Sequence, residues 1–244
     1  MIILAIENGD FIKVSYTGKF EGGLIFDTTD EELAKENQIF NPRGVYGGDV
    51  VVVGAGHTIK GLDEDFVGKD VGYKGELVIP PEKGFGEHDP KQVETISLNK
   101  FEDRKATPGM GVEIEGKRGV VTKVIGRRAR VDFNHPLAGK EVTYEYTIDE
   151  KLEGDVDKIN GLLSLYTGVP EIEVEVEDKT AIINIPVALS FNQRWLMSKN
   201  RIASEIIENI GMEQVKFVET YPVGSPASAE EEEAESEDYE SGEE

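Results

Sequence analysis

Short alternating runs set the pattern of this chain. Phe11–Tyr16 (FIKVSY) and Val142–Ile148 (VTYEYTI) place apolar residues at every second position, the period of a strand with one buried face. Further strands are predicted near residues 2–6, 24–27, 50–53 and 73–79. The 11–16 strand is expected to run through a Thr17-Gly18 turn into the second strand, which ends in Phe26-Asp27, a large ring beside a carboxylate. Residues 30–48, punctuated by Gly, Pro and Asn, read as an excursion off that second strand.

Beyond residue 86 the pattern changes scale. Gln92–Leu98 alternates as a strand, and residues 111–133 read as two or three strands with turns at Glu115-Gly116 and at Gly126. Strands this short need a common apolar face, which Val93, Ile96, Val112, Ile114, Val121, Val124 and Val131 are expected to supply. Farther on, Asp155–Leu165 suggests a helix, and Ile172–Val176 and Ala181–Ile185 alternate around an Asp178-Lys179 turn. Ser190-x-x-Gln193 reads as a capping box. It precedes a helix with Trp195, Ile202, Ile206 and Ile210 on one side and Gly211 at its end, and Val215–Val218 returns as a strand. That order predicts a small α+β domain over 151–221. Residues 222–244 are acidic and Ser-rich and bury too little apolar surface to fold.

Composition narrows the function classes. With 27 Gly and 10 Pro in 244 residues, a turn-rich β or α+β protein is favoured. No apolar run approaches the roughly 18–20 residues that span a bilayer, so no membrane partner is expected. The opening MIILAI lacks a basic start and a cleavage site, so it reads as a strand, and a cytoplasmic setting is expected. Zero Cys excludes disulfides and thiolate metal sites, and His57, His88 and His135 are too dispersed to suggest a metal site, so no metal or cofactor is expected. The Gly54-x-Gly56 and Gly109-x-Gly111 pairs lack the strand–loop–helix context of a phosphate site.

The net charge of −23 is unevenly spread: ten acids crowd residues 228–244, while residues 91–130 hold ten Lys/Arg against five Asp/Glu, including Arg127, Arg128 and Arg130. This basic stretch is either an electrostatic handle or a solvated face. The overall negative charge and the lack of interleaved aromatics argue against specific nucleic-acid binding. The acidic tail is expected to serve solubility.

Three segments carry a family resemblance: Phe11–Thr29 (FIKVSYTGKFEGGLIFDTT), Val51–Gly86 (VVVGAGHTIKGLDEDFVGKDVGYKGELVIPPEKGFG), and the run from Asn134-His135-Pro136-Leu137-Ala138-Gly139 into Val142–Tyr144. Together they resemble FKBP-type prolyl isomerases, and the excursion between Gly86 and Asn134 is like the insert-in-flap domain of SlyD-type members. The resemblance covers roughly residues 1–150, and the C-terminal extension is similar to that of long archaeal FKBPs. It implies an α+β fold in which an FKBP-like antiparallel sheet (1–86 and 134–150) wraps around a short helix near Leu62–Phe66. A small β domain is inserted at 87–133, a C-terminal α+β domain spans 151–221, and a disordered acidic tail spans 222–244.

The resemblance also implies a pocket. Tyr16 would support the carboxylate of Asp27, Phe26 would form the aromatic wall, and the Ile59 N–H would anchor a substrate carbonyl. Tyr144 takes the place of a floor phenylalanine. Val51 and Leu62 would line the pocket, and Phe85 stands where a tyrosine usually offers a hydroxyl. Leu62 and Phe85 are expected to weaken macrolide binding more than catalysis. The implied partners are unfolded or nascent clients containing proline, held by the insert, with ribosome proximity and a dimer through 151–221 as further options. Two alternatives stand beside the isomerase: a holdase with a vestigial pocket, and a ribosome- or RNA-associated factor using residues 91–130.

Overall fold

A computed structural model describes residues 5–42 and 44–221. The predicted acidic tail and most of the predicted strand at 2–6 lie outside these residues. Of that strand, Ala5 and Ile6 are irregular, yet Ile6 is fully buried, donates to the Lys69 carbonyl and accepts from the Gly68 N–H, each at 2.8 Å.

The alternation at Phe11 produces β1 (Phe11–Phe20), which is longer than expected. Thr17 and Gly18 lie inside it; the chain turns at Gly22 and Gly23, whose φ of +90° and +85° favour glycine. β2 (Ile25–Thr28) then returns along β1. The 30–48 excursion contains α1 (Glu31–Glu36), capped by the Asp30 carboxylate on the Leu33 N–H at 3.0 Å. β3 (Asp49–Val52), α2 (Lys60–Phe66) and β4 (Lys74–Ile79) follow. The insert contributes β5 (Val93–Ser97), β6 (Gly111–Ile114), β7 (Lys117–Ile125) and β8 (Arg128–Asp132), and the chain returns as β9 (Val142–Leu152).

The first sheet runs β2-β1-β9-β4, with β3 pairing to β1. α2 is seated against it by sequence. A side chain at Gly61 would begin 2.7 Å from Cγ2 of Ile79, so only glycine permits this approach. Phe66 meets Tyr146 edge-on at 5.2 Å, and the Tyr146 hydroxyl donates to Asp65. These contacts fix the helix that carries Leu62.

The insert folds as its own sheet, β5-β8-β7-β6, with left-handed turn residues at Glu115, Gly116 and Gly126. Its core is Phe101, Ile114, Val121, Ala129 and Val131, with Ile96, Val112 and Val124 packed against it. Val93, expected in this face, is outside the cluster; Phe101 and Ala129 supply the volume instead. Lys100, Lys117 and Arg118 pair with Glu115, Glu94 and Glu113, which neutralises part of the basic stretch. At the insert's base the Asn134 amide bonds both backbone groups of Asp89 at 2.9 Å and the Asp132 carboxylate at 2.8 Å, and His88 Nε2 meets Asp132 at 2.8 Å. The two connecting strands are therefore stitched where they cross.

By contact, the chain divides into two compact units: one holds β1, β2, β4, most of β9 and the insert, the other residues 152 onward with short pieces at 44–45 and 49–51. The second unit contains α3 (Asp155–Thr167), β10 (Glu173–Glu177), β11 (Thr180–Ile185), α4 (Val187–Ser190), α5 (Gln193–Glu205) and β12 (Gln214–Glu219). The sheet order is β10-β11-β12. Asp178, at φ +52°, makes the tight β10–β11 turn, whereas β12 pairs parallel to β11 and so needs the helical crossover through α4 and α5. α5 continues as a π turn over Ile206–Ile210 and stops at left-handed Gly211, as expected.

The expected capping box is not formed. Asn192 caps α5, accepting from the N–H groups of Arg194 (2.9 Å) and Trp195 (3.3 Å), while Ser190 ends α4. An Asx side chain is as good a cap as serine and stands immediately before the helix, so it wins. Among the described residues no helix is long and apolar enough to cross a membrane.

Trp195 is fully buried and packs edge-on against Phe217 at 4.9 Å, yet its indole N–H finds no partner among the described residues. We expect Trp195→Ala to destabilise the second unit by about 3–5 kcal/mol. Trp195→Phe should cost clearly less, because it also removes an unpaired buried donor. Urea unfolding followed by circular dichroism checks the ordering; equal costs would mean the indole is not packed as described.

Candidate active site

The site begins with a flaw in strand pairing. Along β1 and β2, Gly18 pairs with Asp27 and Lys19 with Ile25, so Phe26 is the extra residue of a bulge. A bulge re-aims the side chain it carries. The ring of Phe26 swings over β1 at the residue with no side chain: a Cβ on Gly18 would stand 2.7 Å from Phe26 Cζ and 3.1 Å from Tyr144 Cζ.

Around that point the rings close a box. Phe26 is edge-on to Tyr144 (5.8 Å, 82°) and to Phe85 (6.1 Å, 80°), and Tyr144 meets Tyr16 at 5.6 Å. Phe20 extends the wall, 4.8 Å from Phe26. Asp27 sits at the rim. Its residue surface is exposed, yet its carboxylate accepts from the Tyr16 hydroxyl at 3.2 Å and lies beside the aromatic rings. Crowding by these apolar neighbours pushes its carboxyl above the usual range, while the Tyr16 hydroxyl and the Thr28 N–H pull it back. Burial, and then the charge of Asp27, raise the Tyr144 phenol well above its ordinary value, so it stays protonated.

Behind the box, hydroxyls fix the backbone. Thr29 Oγ1 accepts from the Tyr16 N–H at 2.9 Å, Thr28 Oγ1 donates to the Tyr16 carbonyl at 3.1 Å, and Thr17 and Thr28 share a hydrogen bond of 2.9 Å. Thr28 and Thr29 are buried. They hold Tyr16 in register with Asp27.

The other expected residues arrive on other elements. Ile59 is the N-cap of α2, with its carbonyl taken by the Leu62 and Asp63 N–H groups, while its own N–H has no acceptor among the described residues. Leu62 is buried in α2, and Val51 is buried in β3. Direct contact therefore joins Tyr16, Phe26, Asp27, Phe85 and Tyr144, and α2 carries Ile59 and Leu62. A neighbouring groove of about 480 Å³, whose lining includes Tyr16, Lys74, Glu76, Glu145 and Tyr146, is mixed in character and wide open. It has the character of a solvated sheet face.

A family model described as FKBP-type peptidyl-prolyl cis-trans isomerase matches residues 4–102. Others described as FKBP26, IF domain and as FKBP26 C-terminal match residues 98–137 and 155–222. A short-type peptidyl-prolyl cis-trans isomerase of Methanocaldococcus jannaschii is 38% identical over 145 residues, covering 59% of this chain and 92% of that protein. The chain belongs to the FKBP-type peptidyl-prolyl cis-trans isomerase family. SlyD of Treponema pallidum is 26% identical over 170 residues, covering 66% of this chain and 86% of that one. FKBP2 of Mus musculus is 39% identical over 79 residues, covering 32% and 47%.

Within this FKBP cleft, three residues escaped the sequence reading. Gly18 was readable in principle, because a glycine inside an alternating strand marks a close approach. Phe20 carried no signal beyond strand alternation. His135 stacks flat on Phe85 (4.9 Å, 1°), with its Nδ1 accepting from the Leu137 N–H at 3.2 Å, so the end of the insert braces the cleft wall. Nothing in the spacing of 85 and 135 announced that pair.

Gly18→Ala must displace both rings, and kcat/KM for a proline peptide should fall at least about 10-fold. Retention of full rate would mean the rings do not need this seat. Asp27→Asn tests the carboxyl. Its raised folded value means the native state holds its proton more tightly than the unfolded chain. Asp27 therefore costs stability as pH rises from the ordinary carboxyl range through the raised value. The variant should gain thermal stability over wild type at pH 7 and lose that gain at pH 3. An equal difference at both pH values would show that the carboxyl is not desolvated.

Proposed function

We propose that this cleft catalyses cis-trans isomerisation of X–Pro bonds in folding proteins, and that the insert holds the client chain beside it. The observation that carries the reading is the aromatic box of Phe26, Tyr144 and Phe85 around Gly18, with Asp27 at its rim.

The chemistry needs no nucleophile. Roughly 18–20 kcal/mol opposes rotation about an amide bond, because the nitrogen lone pair is conjugated with the carbonyl. X–Pro bonds therefore isomerise over tens to hundreds of seconds. Water bonded to the carbonyl oxygen stabilises the conjugated form. A cleft walled by rings strips that water and accepts the twisted amide better than the planar one. In this reading the proline ring enters the box, the Ile59 N–H binds a client carbonyl, Leu62 shapes the apolar lining, and Asp27 faces the rotating carbonyl. Phe85 contributes surface only.

The insert raises the local concentration of client prolines by tethering. Its outer strands β5 and β6 have free edges within its sheet, which an extended chain can join. Proline-containing unfolded or nascent chains are the proposed clients. With no cysteine, the fold needs no oxidising compartment, consistent with the proposed cytoplasmic setting.

Refolding of a protein limited by one proline step tests the whole reading. Wild type should accelerate the slow phase, and Phe26→Ala/Asp27→Ala should abolish the effect. Replacing residues 87–133 by a short turn should reduce it far more on the protein than on a tetrapeptide. Acceleration that survives loss of Phe26 and Asp27 would move the chemistry elsewhere. Suppressed aggregation with an unchanged rate would make the protein a holdase.

A further inference from the structure

Tyr144 combines features that a floor residue does not need for packing alone. It is 4% exposed, in contact with Tyr16 and Phe26, and beside Asp27. A tyrosine buried this deeply ordinarily spends its hydroxyl on a partner. Here the hydroxyl has no hydrogen bond among the described residues. Among the described residues the fully enclosed atoms lacking a partner include Ser190 Oγ and Trp195 Nε1, in the second unit. The groups around Tyr144 are those that wall the cleft: Tyr144 Cζ, which carries the hydroxyl, lies over Gly18, and Tyr16 and Phe26 flank the ring. The neighbouring tyrosines behave otherwise: the Tyr16 hydroxyl is bonded to Asp27 and that of Tyr146 to Asp65.

We propose that the Tyr144 hydroxyl donates a hydrogen bond to the ring nitrogen of the client proline as the amide twists. The inference rests on the isomerase reading above and adds to it a group that acts on the reacting atoms. In the planar amide the nitrogen lone pair is delocalised and accepts no hydrogen bond. At the twisted geometry the pair is localised on nitrogen and becomes an acceptor. A donor placed there is satisfied only in the transition state, the kind of interaction that raises kcat. A donor to the carbonyl oxygen would do the reverse, stabilising the conjugated form. The proline ring has one polar atom, its nitrogen, so a donor in the floor beneath that ring has one partner to find. Burial and the charge of Asp27 keep the phenol protonated at neutral pH, as a donor must be. No bond is made or broken except the hydrogen bond itself, and the proton stays on the tyrosine oxygen. Gly18 lets this ring approach β1, and a bulkier residue would displace the hydroxyl with it.

Tyr144→Phe removes one oxygen and leaves the ring packing in place. Rates would be measured by NMR exchange on a proline tetrapeptide, with kcat and KM separated by titration and a thermal melt confirming the fold. The expected result is a kcat lower by about 10-fold with KM unchanged, the size of one transition-state hydrogen bond. A kcat within about twofold of wild type, or a loss confined to KM, overturns the proposal. An inactive wild type overturns the isomerase reading and this inference with it. An active wild type with an equally active variant overturns this inference alone.

Discussion

Two rings resting on a bare stretch of strand backbone organise the first unit. Gly18 gives Phe26 and Tyr144 a place to lie that any side chain would occupy. The bulge supplies the second half of the constraint, because an unbroken β1–β2 ladder would send Phe26 elsewhere. Once both rings are seated, Asp27 follows next in sequence, Tyr16 reaches it from β1, and Phe85 meets Phe26 edge-on. The box is assembled from β1, β2, β9 and the turn after β4, so its shape depends on the whole sheet.

Charge is distributed so that this apolar site can exist in a strongly acidic protein. Acidic side chains crowd the surface, while the cleft admits one carboxylate and holds it with two hydrogen bonds at some expense of stability. The insert repeats the economy in another form. Its cations are partly matched by glutamates, so its potential is milder than the count of arginines and lysines suggests.

Much of the architecture was readable because period-2 alternation and glycine turns are local signals. The Asp178 turn, the Glu115-Gly116 turn and the Gly211 stop needed only near neighbours. Reading failed where the deciding partner was distant or where two local signals competed. Gly18 looked like a turn because the rings it accommodates lie 8 and 126 residues away. Ser190 looked like a cap, yet Asn192 had the same chemistry and a better position. Val93 alternated correctly but lay outside the insert core, where Phe101, in an irregular segment with no period to betray it, took the space. The residues that come together, Tyr16, Phe26, Asp27, Phe85 and Tyr144, were flagged by three separate motifs, at 11–29, 51–86 and 134–144. The stacking of His135 on Phe85 joins residues 50 apart and had no such trace.

The placement of Trp195 shapes what light can report about this protein. It is the chain's only tryptophan, it belongs to the second unit, and it is sealed in an apolar setting against Phe217. Its emission will be blue-shifted in the native state and will move red only when that unit opens. The cleft and the insert have no indole of their own. An unfolding curve read at tryptophan wavelengths is therefore a record of residues 152 onward, and the catalytic unit can melt unseen unless tyrosine emission or a backbone signal is followed beside it.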